Sequence, residues 1–319
     1  MFDGHDQLVG AIAGLNASVF WVFTTLCFTA AGRRIGATRV NTFRIIVALF
    51  LHAITLSITS HTLWPDVNRQ QIIYLALSGV IGLAICDQAL FSAFIVMGPR
   101  RTLLISTTTP LFTLVLGALF LDEHPPLLAL LGIALTLLGI AWVVLERAPT
   151  SDTGAAGRRA HGFTRAGVTL ALIASIAQAT GTLFSKLGMG HGWLDEAQHL
   201  PPQPATYVRM IFGLAGMTPI VLMQIKLSAS RRTPTTRIGK PAHGYALAAM
   251  GAVVGPYLGV WSSLVAFDKT DIGVAQTLCG LSPVLILPVA FLVEHERISP
   301  KAIAGALVAV AGSAILFLQ

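Results

Sequence analysis

Ten nearly unbroken apolar stretches alternate with short polar segments along the chain, near residues 8–30, 39–60, 71–96, 102–121, 127–145, 164–187, 205–226, 242–267, 271–293 and 301–318. Each is close to the ~20 residues that carry a helix across a ~30 Å hydrocarbon layer. None shows the period-two alternation of a barrel strand, and in lipid only helices and closed barrels satisfy every backbone donor and acceptor. The pattern therefore predicts an all-α integral membrane protein with ten transmembrane helices.

The second half of the pattern repeats the first. Pro110, Glu123, Gly132 and Gly139 recur as Pro283, Glu296, Gly305 and Gly312, each pair 173 positions apart. Arg44 and Arg209, each early in its helix, are 165 apart. The chain divides into a five-helix repeat at 1–146, a polar Gly/Ala-rich linker at 147–162 on the cytoplasmic side, and a second repeat at 163–319. Five is odd, so the second repeat must enter the membrane from the side opposite to the first. The two repeats are inverted.

Composition and charge agree with this class. Only 11% of residues are charged and 54% are hydrophobic, too apolar for a surface that faces water. With the N-terminus outside, sixteen of the 21 Lys and Arg fall on one face, Arg69, Lys186 and Lys269 on the other, and Arg44 and Arg209 inside helices. The positive-inside rule then places both termini away from the cytoplasm, in a multi-pass protein of the cytoplasmic membrane. Asp3 and Asp6, with no Lys or Arg before the first helix, do not resemble a signal peptide. The net charge of +7 is spread over short loops, which leaves no basic domain for nucleic acid. Cys27, Cys86 and Cys279 sit in separate apolar runs and read as packing residues.

The stretch GLAICDQALFSAFIVMGPRRTLLISTTTPLFTLVLGALFLDE, followed by Gly132 and Gly139, resembles the EamA-type transporters of the drug/metabolite transporter superfamily. So does GPYLGVWSSLVAFDKTDIGVAQTLCGLSPVLILPVAFLVEHERIS in the second half. The resemblance implies two inverted five-helix repeats, a central cavity and movement of small metabolites, often outward. The first helix of that family commonly carries Trp-Gly; here Trp21 is followed by Val22, and Gln178 stands at the matching place in the sixth helix.

Candidate chemistry follows from polar residues inside apolar runs. Pro110 and Pro283 remove an N–H and free the carbonyls of Ser106 and Cys279, with Thr107 and Ser282 softening the same turns. Such groups line a cavity, or the hydroxyls bond back to their own helix. Asp87, with Gln88 beside it, is a carboxylate in the third helix, where insertion costs ~3 kcal/mol. It reads as a coupling or substrate-amine site, or as an ion-pair partner of Arg44. Arg44 and Arg209 hold an anionic substrate, snorkel, or pair with a carbonyl. Gln276 lines the cavity or bridges helices; Tyr257 and Trp261 stack on a planar substrate or on each other. Lys186 reads as an interface anchor, and Glu123 and Glu296 as caps of loop amides.

The four repeat-related glycines allow close helix approach within the fold or in a homodimer. No phosphate-binding loop, HExxH or GxSxG motif is present, so neither an enzyme nor a nucleotide-driven pump is expected, and no cofactor or metal. The expected function is a secondary carrier of a small organic solute, most readily an exporter. A ligand-binding receptor and a lipid-handling enzyme are the alternatives, separated from a carrier by the absence of flux.

Overall fold

The computed structural model describes residues 4–97, 99–146, 164–230, 241–293 and 299–317. The 147–162 linker, His295 and Glu296 lie outside them. The chain forms α1 (Gly4–Ile35), α2 (Ala37–Ser60), α3 (69–97), α4 (99–120), α5 (Leu127–Glu146), α6 (Arg165–Met189), α7 (Pro202–Ser230), α8 (Pro241–Lys269), α9 (272–293) and α10 (Pro300–Phe317). Nine of these are long and apolar enough to cross a membrane among the described residues, and the interrupted α9 is the tenth. Gly36 alone joins α1 to α2, at a φ of 89° that favours glycine.

The burial pattern is that of a membrane protein. Phe50, Ile58, Leu119, Leu138 and Leu307 expose 64–71% of their surface, whereas Ser18, Ser78, Thr113, Thr182 and Thr277 are wholly enclosed. Large apolar side chains face outward to lipid, while small hydroxyl residues fill the contacts between helices.

Helix neighbours obey the inverted repeat. The first helix of each half packs on the third of the other: α1 lies against α8, and α6 against α3. Exchanging the halves likewise turns the α4–α6 contact into α9–α1, while α2–α7, α4–α9 and α5–α10 map onto themselves. This pairing is what a two-fold axis in the membrane plane requires.

The tightest of these contacts is α5 with α10. A Cβ on Gly139 would stand 2.3 Å from the Ala309 backbone nitrogen and 2.6 Å from the Gly305 carbonyl oxygen. Across the seam, one on Gly312 would stand 2.4 Å from the Thr136 nitrogen and 2.8 Å from the Gly132 carbonyl oxygen. The four glycines thus serve an internal seam between repeats. Gly139→Ala is expected to lower stability by about 1–3 kcal/mol, because backbone must move. Gly32→Ala, with nothing within 4 Å, is expected to leave it unchanged or raise it slightly. Unfolding of the two variants in mixed micelles measures the difference.

Two departures from regular helix sit at equivalent places in each half. α3 and α8 carry π-helical segments at Val80–Ile85 and Val253–Gly259, whose first residues are 173 positions apart. α4 and α9 are each broken into two helices, Pro99–Ser106 with Thr109–Phe120 and Ile272–Cys279 with Ser282–Val293. Residues 107–108 and 280–281 form the breaks, again 173 apart. A proline kink alone predicts a bend; the chain leaves the helix altogether because Pro110 and Pro283 begin new helices.

Candidate substrate pathway

The broken helices are sewn to the first helix of the opposite half. Ser18 Oγ donates to the Leu278 carbonyl at 2.7 Å, and its counterpart Ser175 Oγ reaches the Ile105 carbonyl at 3.5 Å while bonding to Ala171 O at 3.0 Å. The acceptors are therefore one residue before Ser106 and Cys279, the carbonyls expected from proline position alone. Ser282 Oγ donates to the Ser18 carbonyl at 3.1 Å, which closes a loop of bonds around the α9 break. At the α4 break the hydroxyls turn back on their own helix: Ser106 to Thr102 O, Thr107 to Leu104 O and Thr108 to Ile105 O, at 2.6–3.0 Å. The two breaks share geometry but not polarity, since Thr107 and Thr108 stand where the second half has Gly280 and Leu281.

The sequence candidates fall into four groups. Ser106, Thr107 and buried Pro110 mark the α4 break. Gln276 and Ser282, with half-buried Pro283, surround the α9 break, where Gln276 Oε1 accepts from Thr182 Oγ1 of α6 at 3.0 Å. Tyr257 and Trp261 have ring centroids 6.1 Å apart on α8. Tyr257 also packs edge-on against His52 of α2 at 4.7 Å and shares a 2.7 Å hydrogen bond with Thr55. The fourth group is the ion pair between Arg44 of α2 and Asp87 of α3, in which Arg44 also donates to Asn41 at 2.7 Å and lies 5.7 Å from the Phe28 ring centroid. Gln88 donates to Ser92 on its own helix at 3.3 Å.

Arg209 behaves differently from its counterpart Arg44. It is 3% exposed, its Nε has no hydrogen-bond partner, and no carboxylate among the described residues pairs with it. It does not snorkel, and no carbonyl among the described residues accepts from its Nε. His52 is also fully enclosed with neither ring nitrogen bonded, although the backbone of Pro256 borders the ring. Sequence reading passed over His52, whose signal was a lone imidazole within an apolar run.

At the end of the bundle where α4, α6 and α8 finish, Lys186 is buried, not at the interface. Its Nζ donates to Glu123 Oε1 at 2.6 Å and to the Thr270 carbonyl at 2.7 Å, and Glu123 Oε2 accepts from the Ile272 N–H at 2.8 Å. Glu123 was expected to bond loop amides; it accepts instead from the first N–H of α9, across the repeat boundary, with an ammonium as second partner. Burial pushes the Glu123 carboxyl up, against Lys186, which pulls it down. Asp271 next to it is also raised by burial.

A second cluster lies nearby. His191 Nε2 is 2.8 Å from Asp268 Oδ1, its ring is 4.3 Å from that of His199, and Lys269 reaches Asp6 at 3.3 Å. Burial lowers the His191 pKa below its ordinary 6.5, the Asp268 hydrogen bond opposing and the Lys186 charge assisting. A lowered histidine binds fewer protons folded than unfolded. Its contribution to stability is present above about pH 6.5 and is lost as pH falls through the folded value. The melting temperature is expected to drop on acidification through this range, and His191→Asn to flatten that part of the profile.

An all-helical bundle of two inverted repeats, with paired helix breaks and buried charge where the repeats meet, defines the architecture of membrane transport proteins. The model of the EamA-like transporter family matches residues 8–145 and 165–318, so this chain belongs to that family. Among 26 solved chains that resemble the fold is the crystal structure of a protein 16% identical, covering 96% of this chain and 94% of its own, with a TM-score of 0.72. No curated protein matches the sequence.

Proposed function

We propose that the protein is a secondary carrier that exports a small organic solute across the cytoplasmic membrane by alternating access. The moving units are the repeats 1–146 and 163–319, tethered by 147–162, and the substrate sits between them near the midplane. The observation that carries this reading is the coincidence of two kinds of helix irregularity at equivalent positions in both halves. Such interruptions tend to mark functional sites, because they free backbone groups and let a helix flex.

Glu123, Lys186, Thr270 and Ile272 tie the outer ends of α4, α6, α8 and α9, so this arrangement fits a carrier closed toward the outside. Opening would separate Glu123 from Lys186. Asp87 is the coupling carboxylate: it is one-fifth exposed, paired to Arg44 and borders a π segment.

The test is counterflow. Purified protein in liposomes preloaded with a mixed extract of small metabolites should accumulate one labelled solute against its gradient. Saturable binding with no accumulation for any solute would replace the carrier by a receptor.

A further inference from the structure

We propose that Arg209 is the anion-binding residue of the substrate site and that the substrate presents a single carboxylate. This rests on the carrier reading above and adds the chemical class of its cargo.

Position comes first. Arg209 lies seven residues into α7 from Pro202, about 10 Å along the helix axis, too deep for a side chain enclosed on all sides to reach water. A Cβ on Gly79 would stand 2.3 Å from the Arg209 carbonyl oxygen and one on Gly82 would stand 2.9 Å from Arg209 Nη2. Gly181 of α6 closes the same point, since its Cβ would come 2.6 Å from the Gly82 Cα. Gly79 thus lets the α7 backbone approach α3, Gly181 lets α6 close on the same turn, and Gly82, in the Val80–Ile85 π segment, leaves room for the guanidinium itself.

The second observation is an asymmetry between the halves. Arg44 has Asp87 as its counter-ion, but the residue 173 positions after Asp87 is Val260. The second half keeps the cation and drops the carboxylate. Asp87 still acts electrostatically on Arg209, but it is already held by Arg44. The cluster Arg44–Asp87–Arg209 therefore carries one uncompensated positive charge within the membrane. Burying such a charge without a partner is costly, and a bound anion is what removes the cost.

The chemistry of the anion follows from the cation. The Nε edge of a guanidinium offers two parallel N–H groups, which match a planar carboxylate in a bidentate pair. A monocarboxylate brings the cluster to neutrality. A dianion would overshoot it beside Asp87, and a zwitterion would leave the excess in place.

The experiment uses three probes of one shape, benzoate, benzamide and benzylamine, with the purified full-length protein in detergent. Benzoate is expected to raise the melting temperature of the wild type progressively with concentration, and the other two to leave it unchanged. In Arg209→Gln the apparent benzoate affinity should fall about ten- to hundredfold, the size of a lost charge-assisted contact. Arg209→Lys should retain part of it. Without ligand, Arg209→Gln should melt at or above the wild-type temperature, because it removes an unpaired buried charge. A variant that melts well below wild type would make Arg209 a structural residue and overturn the proposal, as would equal shifts by benzamide or a benzoate shift unchanged in Arg209→Gln. Counterflow separates the two readings. A neutral or cationic solute moved equally well by wild type and Arg209→Gln sinks the anion site and leaves the carrier standing. Benzoate binding without counterflow of any solute does the reverse.

Discussion

Lys186→Met is expected to destabilise the protein by about 3–5 kcal/mol, the largest loss of any single substitution considered. The ammonium is 1% exposed and Glu123 is 8% exposed in side-chain terms, so water screens neither. Removing Lys186 leaves a buried carboxylate with only the Ile272 N–H, and releases the Thr270 carbonyl from its donor. Glu123→Gln should cost less, because an amide still accepts from Ile272 and still faces the ammonium. Replacing both residues, Lys186→Met with Glu123→Leu, should recover much of the loss, since a buried ion pair exchanged for apolar groups of similar volume is often neutral. A double-mutant cycle read by unfolding in mixed micelles gives the coupling directly. If the double variant falls as far as the two single losses added together, the pair is not coupled and the tie between repeats at this end is carried by other contacts.

Asp87→Asn has a smaller effect on stability and a larger one on transport. Asp87 and Arg44 are 21% and 10% exposed, so the loss is about 2 kcal/mol once screening is discounted. The variant strands Arg44 while Arg209 is already unpaired, and the Arg44–Asp87–Arg209 cluster then holds two guanidinium groups and no carboxylate. Transport is expected to drop at least about tenfold, equivalent to ~1.4 kcal/mol in the barrier, and what remains should no longer depend on pH. Asp87→Glu, which keeps the charge, should restore the pH dependence. Flux through liposomes at several pH values decides it; an Asn variant with the wild-type profile would remove Asp87 from coupling.

Most of the fold was legible from residues that lipid constrains strongly. Ten apolar runs, prolines and glycines in register and an odd number of helices per half were enough for the inverted repeat, because a membrane admits few alternatives. The site was legible only in part. Asp87 and Arg44 stood out as charges in apolar runs, and their pairing was one of the alternatives open beside a coupling role and a hydrogen bond to another helix. Lys186 was misplaced because a cation near a helix end ordinarily reaches the interface, and only the fold brings Glu123 from 63 positions away to meet it. Ser18 and Ser175 gave no signal singly, since serine bonding to its own helix is common; their equivalence appears once α1 is matched to α6 at an offset of 157 rather than 173. The π segments were harder to read: Pro256 within Val253–Gly259 marks an interrupted helix without specifying a π turn, and Val80–Ile85 contains no such residue.

Those π segments also alter how the chain should be compared with itself and with other proteins. The N–H of Cys86 reaches back to Ile81, and that of Val260 to Gly255, five residues instead of four. One extra residue in a turn rotates everything downstream by about 100°. A helical wheel drawn from Arg69 would therefore aim Asp87 about a quarter-turn away from where it points, and one drawn from Pro241 would do the same to Trp261. Designed substitutions on the later parts of α3 and α8 need their faces counted from the irregular turn onward.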